Sequence, residues 1–210
     1  MTADYCNQVA AIAKEHGLIT HLDGARLFNA AVALGCPITD LTQQFDSVTV
    51  CLSKGLGAPV GSVLCGSREF IREAHRMRKL VGVGMRQAGI LAAAGLYALD
   101  HHLDRLAEDH ANAAILAREI DRINGLACPQ AHSLTSGAWT NLVYFVVDGA
   151  AIGCPYFNAV ELSKQLKAHG ILAHALGSDG KQMRMVTHLD VSTADIETSL
   201  TKLRSCLSGT

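Results

Sequence analysis

The chain has 210 residues, 49% hydrophobic and 18% charged, with a formal net charge of −1. That is enough for the core of one large or two small domains, and the charge is too evenly balanced for nucleic acid or an anionic membrane to be expected as a partner. Seven cysteines (Cys6, Cys36, Cys51, Cys65, Cys128, Cys154 and Cys206) are odd in number, scattered and without a Cys-x-x-Cys pair, which speaks against a disulfide framework or zinc site and for a reducing, cytoplasmic setting.

From Ala3 to His16 the apolar residues Val9, Ala10, Ile12 and Ala13 fall at helical spacing and Gly17 follows as a stop, so the chain opens on a helix. Leu18 to Asp23 is a short apolar run ending in a carboxylate before Gly24, the pattern of a buried strand. Ala25 to Leu34 is helix-prone and closed by Gly35 and Pro37. The β-branched run Ser47 to Ser53 predicts a second buried strand, which delivers Lys54. Gly61 to Gly66 reads as a third strand, and Ser67 as the N-cap of a charged helix reaching about Lys79. Gln87 to Ile123 reads as one long helix, apolar at first and then amphipathic, joining two lobes. Its apolar part, Ala88 to Leu99, is too short and too interrupted to span a bilayer. Past Gly125 come strands at Leu142–Val147, Ile171–Ala175 and Met183–Thr187 and helices at Phe157–His169 and Thr193–Leu207, a small α+β lobe. The N-terminus lacks the marks of a secretory or transit signal, although an earlier natural start would hide one.

Asp23 and Lys54 both stand at the ends of strands, where α/β sheets place ligand-binding groups, and a strand–helix–strand unit would set them on one sheet edge. From these two residues alone, the plainer account is a helix-capping Asp23 and a solvated loop Lys54. The setting Ser-Lys-Gly-Leu-Gly-Ala-Pro-Val-Gly-Ser shifts that balance. Its glycines permit close approach to a bulky group, and a lysine that condenses with an aldehyde needs such a shaped, desolvated pocket. A nucleotide P-loop fails on order, because here the lysine precedes the glycines.

Four stretches, His21-Leu22-Asp23-Gly24-Ala25-Arg26-Leu27-Phe28-Asn29-Ala30, Ser53 to Ser62, Gly84-Met85-Arg86-Gln87-Ala88-Gly89 and Arg184-Met185-Val186-Thr187-His188-Leu189-Asp190, resemble the low-specificity L-threonine aldolases. The resemblance covers essentially the whole chain, and four motifs in order are more specific than any one. It implies the α/β class, specifically part of the large domain of pyridoxal-phosphate fold type I, with a mostly parallel sheet, followed by a small α+β C-terminal domain. The expected bounds are 1–100 for the large-domain part, 101–124 for a linking helix and 125–210 for the small domain. The implied cofactor is pyridoxal 5′-phosphate, with Lys54 as the Schiff-base lysine and Asp23 on the pyridine nitrogen. Arg26 would hold the ring 3′-oxygen or the Asp23 side of the ring, Ser53 the phosphate and Arg184 the substrate carboxylate, while Lys79 and Arg86 would approach an active site, in this or a neighbouring subunit. Arg26 read simply as a helix-face arginine, Ser53 as a strand-end hydroxyl and Lys79 as a solvated helix end stay open. His101, His102 and His110 read as surface groups, and His21 and His188 as packing residues.

The reaction implied is cleavage of L-threonine or L-allo-threonine to glycine and acetaldehyde, a step of threonine catabolism and glycine formation, by a homo-oligomer whose family habit is a homotetramer. Against the family pattern, the chain begins at the helix before the Asp-bearing strand. A phosphate-binding Gly-Thr turn, a ring-stacking histidine, a second active-site histidine and a substrate-contacting N-terminal segment are therefore expected to be missing. The alternatives are a catalytically incompetent chain that only associates with full-length subunits, and another fold type I lyase or aminotransferase.

Overall fold

Thr2 accepts a hydrogen bond from the Tyr5 amide and so caps the first helix, α1 (Ala3–Glu15), which turns Cys6, Ala10 and Ala13 inward. The computed structural model describes residues 2–128 and 140–208, and the chain divides into two units, Met1–Leu106 and Ala107–Thr210.

In the first unit α1 is followed by β1 (His21–Gly24), α2 (Leu27–Leu34), α3 (Ile38–Thr42), β2 (Ser47–Cys51), β3 (Ser62–Gly66), α4 (Arg68–Leu80) and α5 (Gly89–His101). The sheet order is β1-β2-β3, with β1 and β2 parallel and β3 antiparallel to β2. Strand alternation sends Leu22, Val48 and Val50 to one face, where they pack with Leu27 and Ala31 of α2 and Leu41 of α3. The opposite face carries His21 and Asp23. The first strand starts at His21, later than the apolar run suggested: Leu18 and Ile19 are 63% and 88% exposed, in the stretch by which the chain leaves α1 through a turn closed by the Leu18 amide on the Ala13 carbonyl. β3 is exposed along its whole length and α4 buries no residue.

The long helix expected over 87–123 is instead two helices, α5 and α6 (Leu106–Asp121). The cause is tertiary. Ala98 and Leu106 are both buried with Leu56 and Ala58, with Leu99 and Leu103 packed alongside, whereas a continuous helix would carry Leu106 about 12 Å along the axis from Ala98.

The second unit adds β4 (Leu126–Ala127), β5 (Leu142–Val147), α7 (Ala159–Ala168), β6 (His174–Leu176), β7 (Gln182–Val186) and α8 (Thr193–Ser208). Its sheet, in the order β4-β5-β7-β6, is antiparallel throughout. Val143, Phe145, Met183 and Met185 from alternate strand positions share one core with Leu116 and Ile120 of α6, Leu162 and Leu166 of α7, and Leu200 and Leu203 of α8. Asn158 caps α7 by accepting from the Val160 and Glu161 amides. No helix among the described residues is long and apolar enough to cross a membrane.

Candidate active site

Parallel pairing places the carboxyl ends of β1 and β2 at one edge of the sheet, with Asp23 opposite Thr49 and Gly24 opposite Val50. Asp23 is exposed there. One of its oxygens accepts from the Ala25 amide at 3.1 Å, a local turn bond that fixes the carboxylate's direction as the chain enters α2. The same strand face carries His21, whose Nδ1 lies 2.9 Å from Ser47 Oγ and whose Nε2 lies 3.1 Å from Thr49 Oγ1. His21 thus stitches β1 to β2 beside Asp23, a more specific job than the packing role expected of it.

Lys54 stands three residues past the end of β2, in a loop with its own hydrogen bonds. The Leu52 amide donates to the Gly61 carbonyl at 2.9 Å, the Ala58 amide to the Leu52 carbonyl at 3.0 Å and the Gly57 amide to the Lys54 carbonyl at 2.9 Å. Gly57 and Gly61 adopt φ of 69° and 120°, which a side chain would resist. Gly55 is needed for a different reason: a Cβ there would lie 2.9 Å from both Asn29 Oδ1 and Leu106 Cδ2. Leu56, only 2% exposed, plugs the loop into the cluster with Ala58, Ala98 and Leu106. Lys54 itself is exposed, so the desolvating pocket expected around it is not formed by its own loop. Ser53 Oγ makes a long 3.5 Å contact with the Gly61 carbonyl and is otherwise exposed.

Arg26 stands just before α2, at its N-cap position with φ −128° and ψ 35°, rather than on a helix face. Its Nε is buried without a hydrogen-bond partner among the described residues. Buried donors are ordinarily paired, so this guanidinium is a candidate for an acceptor from outside the chain. The first unit thus holds a carboxylate, a primary amine and a guanidinium whose Nε has no partner among the described residues, the kinds of group that could meet the ring nitrogen, the aldehyde and the ring oxygen of pyridoxal phosphate. That donor set fits the cofactor's ring. Lys79 and Arg86 are exposed and make no ion pair among the described residues; the Lys79 stem lies over Gly84, whose Cβ would meet Lys79 Nζ at 3.8 Å.

Arg184 belongs to the second unit. On the face of the sheet opposite the core it is flanked in register by Tyr144 of β5 and His174 of β6, and its Nε, like that of Arg26, is buried without a partner among the described residues. The rest of its motif is structural. Thr187 Oγ1 donates to the Asp109 carbonyl at 2.7 Å, and Asn141 Nδ2 donates to the Thr187 carbonyl at 2.9 Å. The Asp190 amide donates to His188 Nδ1 at 3.3 Å.

Three features of the first unit escaped the sequence reading. Asn29, 2% exposed, lies under Gly55. His102, expected at the surface, is half-buried and reaches the Leu56 carbonyl with Nδ1 at 2.6 Å. At the opposite ends of the strands Asp46 accepts from the Thr20 amide and hydroxyl at 2.8 and 2.9 Å, bonds that hold its carboxyl below the ordinary range. A cavity of about 580 Å³ lined by Lys14, Thr20, Gln44 and Asp46 opens at that amino-terminal end. Ligands of α/β sheets sit at the carboxyl ends, whereas this cavity lies at the other end of the strands from Asp23 and the Lys54 loop.

Residues 1–140 match the family described as beta-eliminating lyase. The chain is 41% identical to low-specificity L-threonine aldolase 1 of Arabidopsis thaliana over 95% of its own length and 53% of that protein's. It is 43% identical to the low specificity L-threonine aldolase of Escherichia coli K12 over 90% of its length and 51% of that protein's. The chain thus spans about half the length of the curated relatives it matches. Among solved structures, that of Leishmania major threonine aldolase superposes with a TM-score of 0.71 at 20% identity, covering 99% of this chain and 57% of that one, which confirms the fold expected from the motifs. The family match, which takes in both Asp23 and Lys54, makes this chain a member of the beta-eliminating lyase family.

Proposed function

We propose that this chain carries the working residues of a pyridoxal-phosphate-dependent aldolase that cleaves β-hydroxy-α-amino acids, L-threonine and L-allo-threonine giving glycine and acetaldehyde. The observation that carries the reading is the parallel pairing of β1 and β2, which brings Asp23 and the glycine-lined Lys54 loop to one sheet edge. Identity to aldolases of plant and bacterium above 40% supports the substrate class.

Bound at this edge, the cofactor supplies an electron sink for the charge left on Cα when the Cα–Cβ bond breaks. Asp23 would hold a proton on the ring nitrogen, Lys54 would supply the amine for the aldehyde, and Arg26 would hold the ring oxygen. Ser53 is assigned to the phosphate. Arg184 grips the α-carboxylate with its planar fork, and that orientation selects which bond at Cα is broken. Lys79 and Arg86 are assigned to an active site of a homo-oligomer. Self-association is supported by the exposed apolar residues of their segment, among them Leu80, Val81, Val83 and Met85.

The test is direct. The purified chain is mixed with pyridoxal phosphate, the visible absorbance of Lys54-bound cofactor is recorded with Lys54→Ala as control, and acetaldehyde release from L-threonine is then measured. Absence of a Lys54-dependent band would sink the assignment. A band without acetaldehyde would leave cofactor binding standing and favour a chain that only associates with active subunits.

A further inference from the structure

The Lys54 loop has no strand ladder between Leu52 and Gly61, so beyond its three internal backbone bonds its placement depends on what grips it from outside. Two grips are steric: Gly55 lies against Asn29 and Leu106, and the Leu56 side chain is 2% exposed in the cluster beneath. Steric contact fixes the loop's depth. It does not fix how the 54–57 turn is rotated as a body: the Gly57 amide closes that turn on the Lys54 carbonyl at 2.9 Å, and the carbonyl of the same Leu56–Gly57 peptide is left to a partner outside the turn.

The Leu56 carbonyl meets His102 Nδ1 at 2.6 Å, across 46 residues of sequence. A carbonyl only accepts, so Nδ1 carries the hydrogen, and the ring can supply it both as the Nδ1–H tautomer and as imidazolium. The ring is oriented in turn. Tyr97 meets it edge-on at 5.6 Å and 85°, and itself stacks on His101 at 4.1 Å. His102 also closes α5, its amide donating to the Ala98 carbonyl at 2.9 Å, so its backbone is held as well as its side chain.

We propose that His102 is a positioning residue for Lys54: through the Leu56 carbonyl it sets the rotation of the 54–57 turn, and so the direction in which the Lys54 amine is presented. This rests on the reading of Lys54 as the cofactor lysine.

The test uses the whole chain with His102→Ala and His102→Asn, since an asparagine amide N–H can donate from about the place of Nδ1. His102→Ala is expected to raise the pyridoxal phosphate concentration for half-maximal Lys54-dependent absorbance about tenfold, equivalent to ~1.4 kcal/mol, while His102→Asn stays within roughly threefold of the parent. Amide hydrogen exchange at Gly57 and Ala58 should quicken in the alanine variant and not in the asparagine variant. Parent-like binding by His102→Ala, or equal weakening by both variants, would overturn the proposal. A parent chain with no Lys54-dependent band would instead be a failure of the cofactor reading. The brace is then decided by the exchange rates together with the acylation rate of Lys54 read by mass spectrometry, and unchanged values in His102→Ala would refute it.

Discussion

Gly55→Ala probes the ground on which Lys54 stands. The new Cβ would lie 2.9 Å from Asn29 Oδ1 and 2.9 Å from Leu106 Cδ2, with Asn29 Nδ2 at 3.3 Å. Neither neighbour has room to withdraw, since Asn29 is 2% and Leu106 0% exposed. Overpacking of this kind costs about 1–3 kcal/mol. Gly55 is not among the positive-φ glycines, so the backbone accepts alanine, and stiffening of the unfolded chain returns about 0.4–1 kcal/mol. The net expectation is a loss centred on ~1.3 kcal/mol, within about 0–2.6 kcal/mol, read by urea unfolding followed by circular dichroism. Adding Leu106→Ala to the variant removes one of the two collisions, so the double variant should lose less than the sum of the single losses. Stability clearly above the parent for Gly55→Ala, or strict additivity with Leu106→Ala, would show that the close approach does not exist.

In the second unit, Leu162 is fully buried, and Leu162→Ala should cost about 2–5 kcal/mol in urea titrations; a loss under about 1 kcal/mol would contradict the packing described. Asn158→Ala removes the acceptor for two amides and should cost about 1 kcal/mol, with faster hydrogen exchange at Val160 and Glu161 as its signature. His110, expected at the surface, is 8% exposed, and this burial lowers its pKa, with Asp109 partly opposing it. The unfolded chain therefore binds that proton at higher pH than the folded one, so the contribution is fully present above about pH 6.5 and is lost as pH falls toward the folded value. His110→Gln should flatten the fall in stability on that acid side, and an unchanged slope would remove His110 as its source. Arg184→Lys keeps the charge but not the planar fork, so KM for L-threonine should rise about tenfold or more with the Lys54 band intact, a loss of ~1.4 kcal/mol in binding; an unchanged KM would take Arg184 off the carboxylate.

Much of the local architecture was legible before any coordinates. Leu142–Val147 was read as a strand to the residue, and Ser67 as the cap of α4, where it accepts from the Phe70 amide. Such features depend on neighbours a few positions away, and periodicity and capping chemistry report on those. Asp23 and Lys54 stand out as candidates for a related reason: a carboxylate after a short strand and a lysine followed by glycines are local patterns, although from the two residues alone a capping Asp23 and a solvated Lys54 are the plainer account.

By itself, then, the sequence determined most of the element order, short of α3, β4 and the break between α5 and α6, together with the candidate groups Asp23 and Lys54 and the family, because backbone preference and side-chain chemistry are written residue by residue. Only the tertiary structure decided what surrounds them. His102 was placed at the surface because a histidine near acidic residues on a polar helix face is usually solvated, and nothing adjacent to it announces the Leu56 carbonyl. The division of one expected helix into α5 and α6 was equally hidden, since the pull comes from Leu56 and Ala58 far back in the chain. The exposure of Lys54, the buried Nε atoms of Arg26 and Arg184 and the contact of Asn29 with Gly55 all depend on surfaces built from distant segments, where local pattern carries no information.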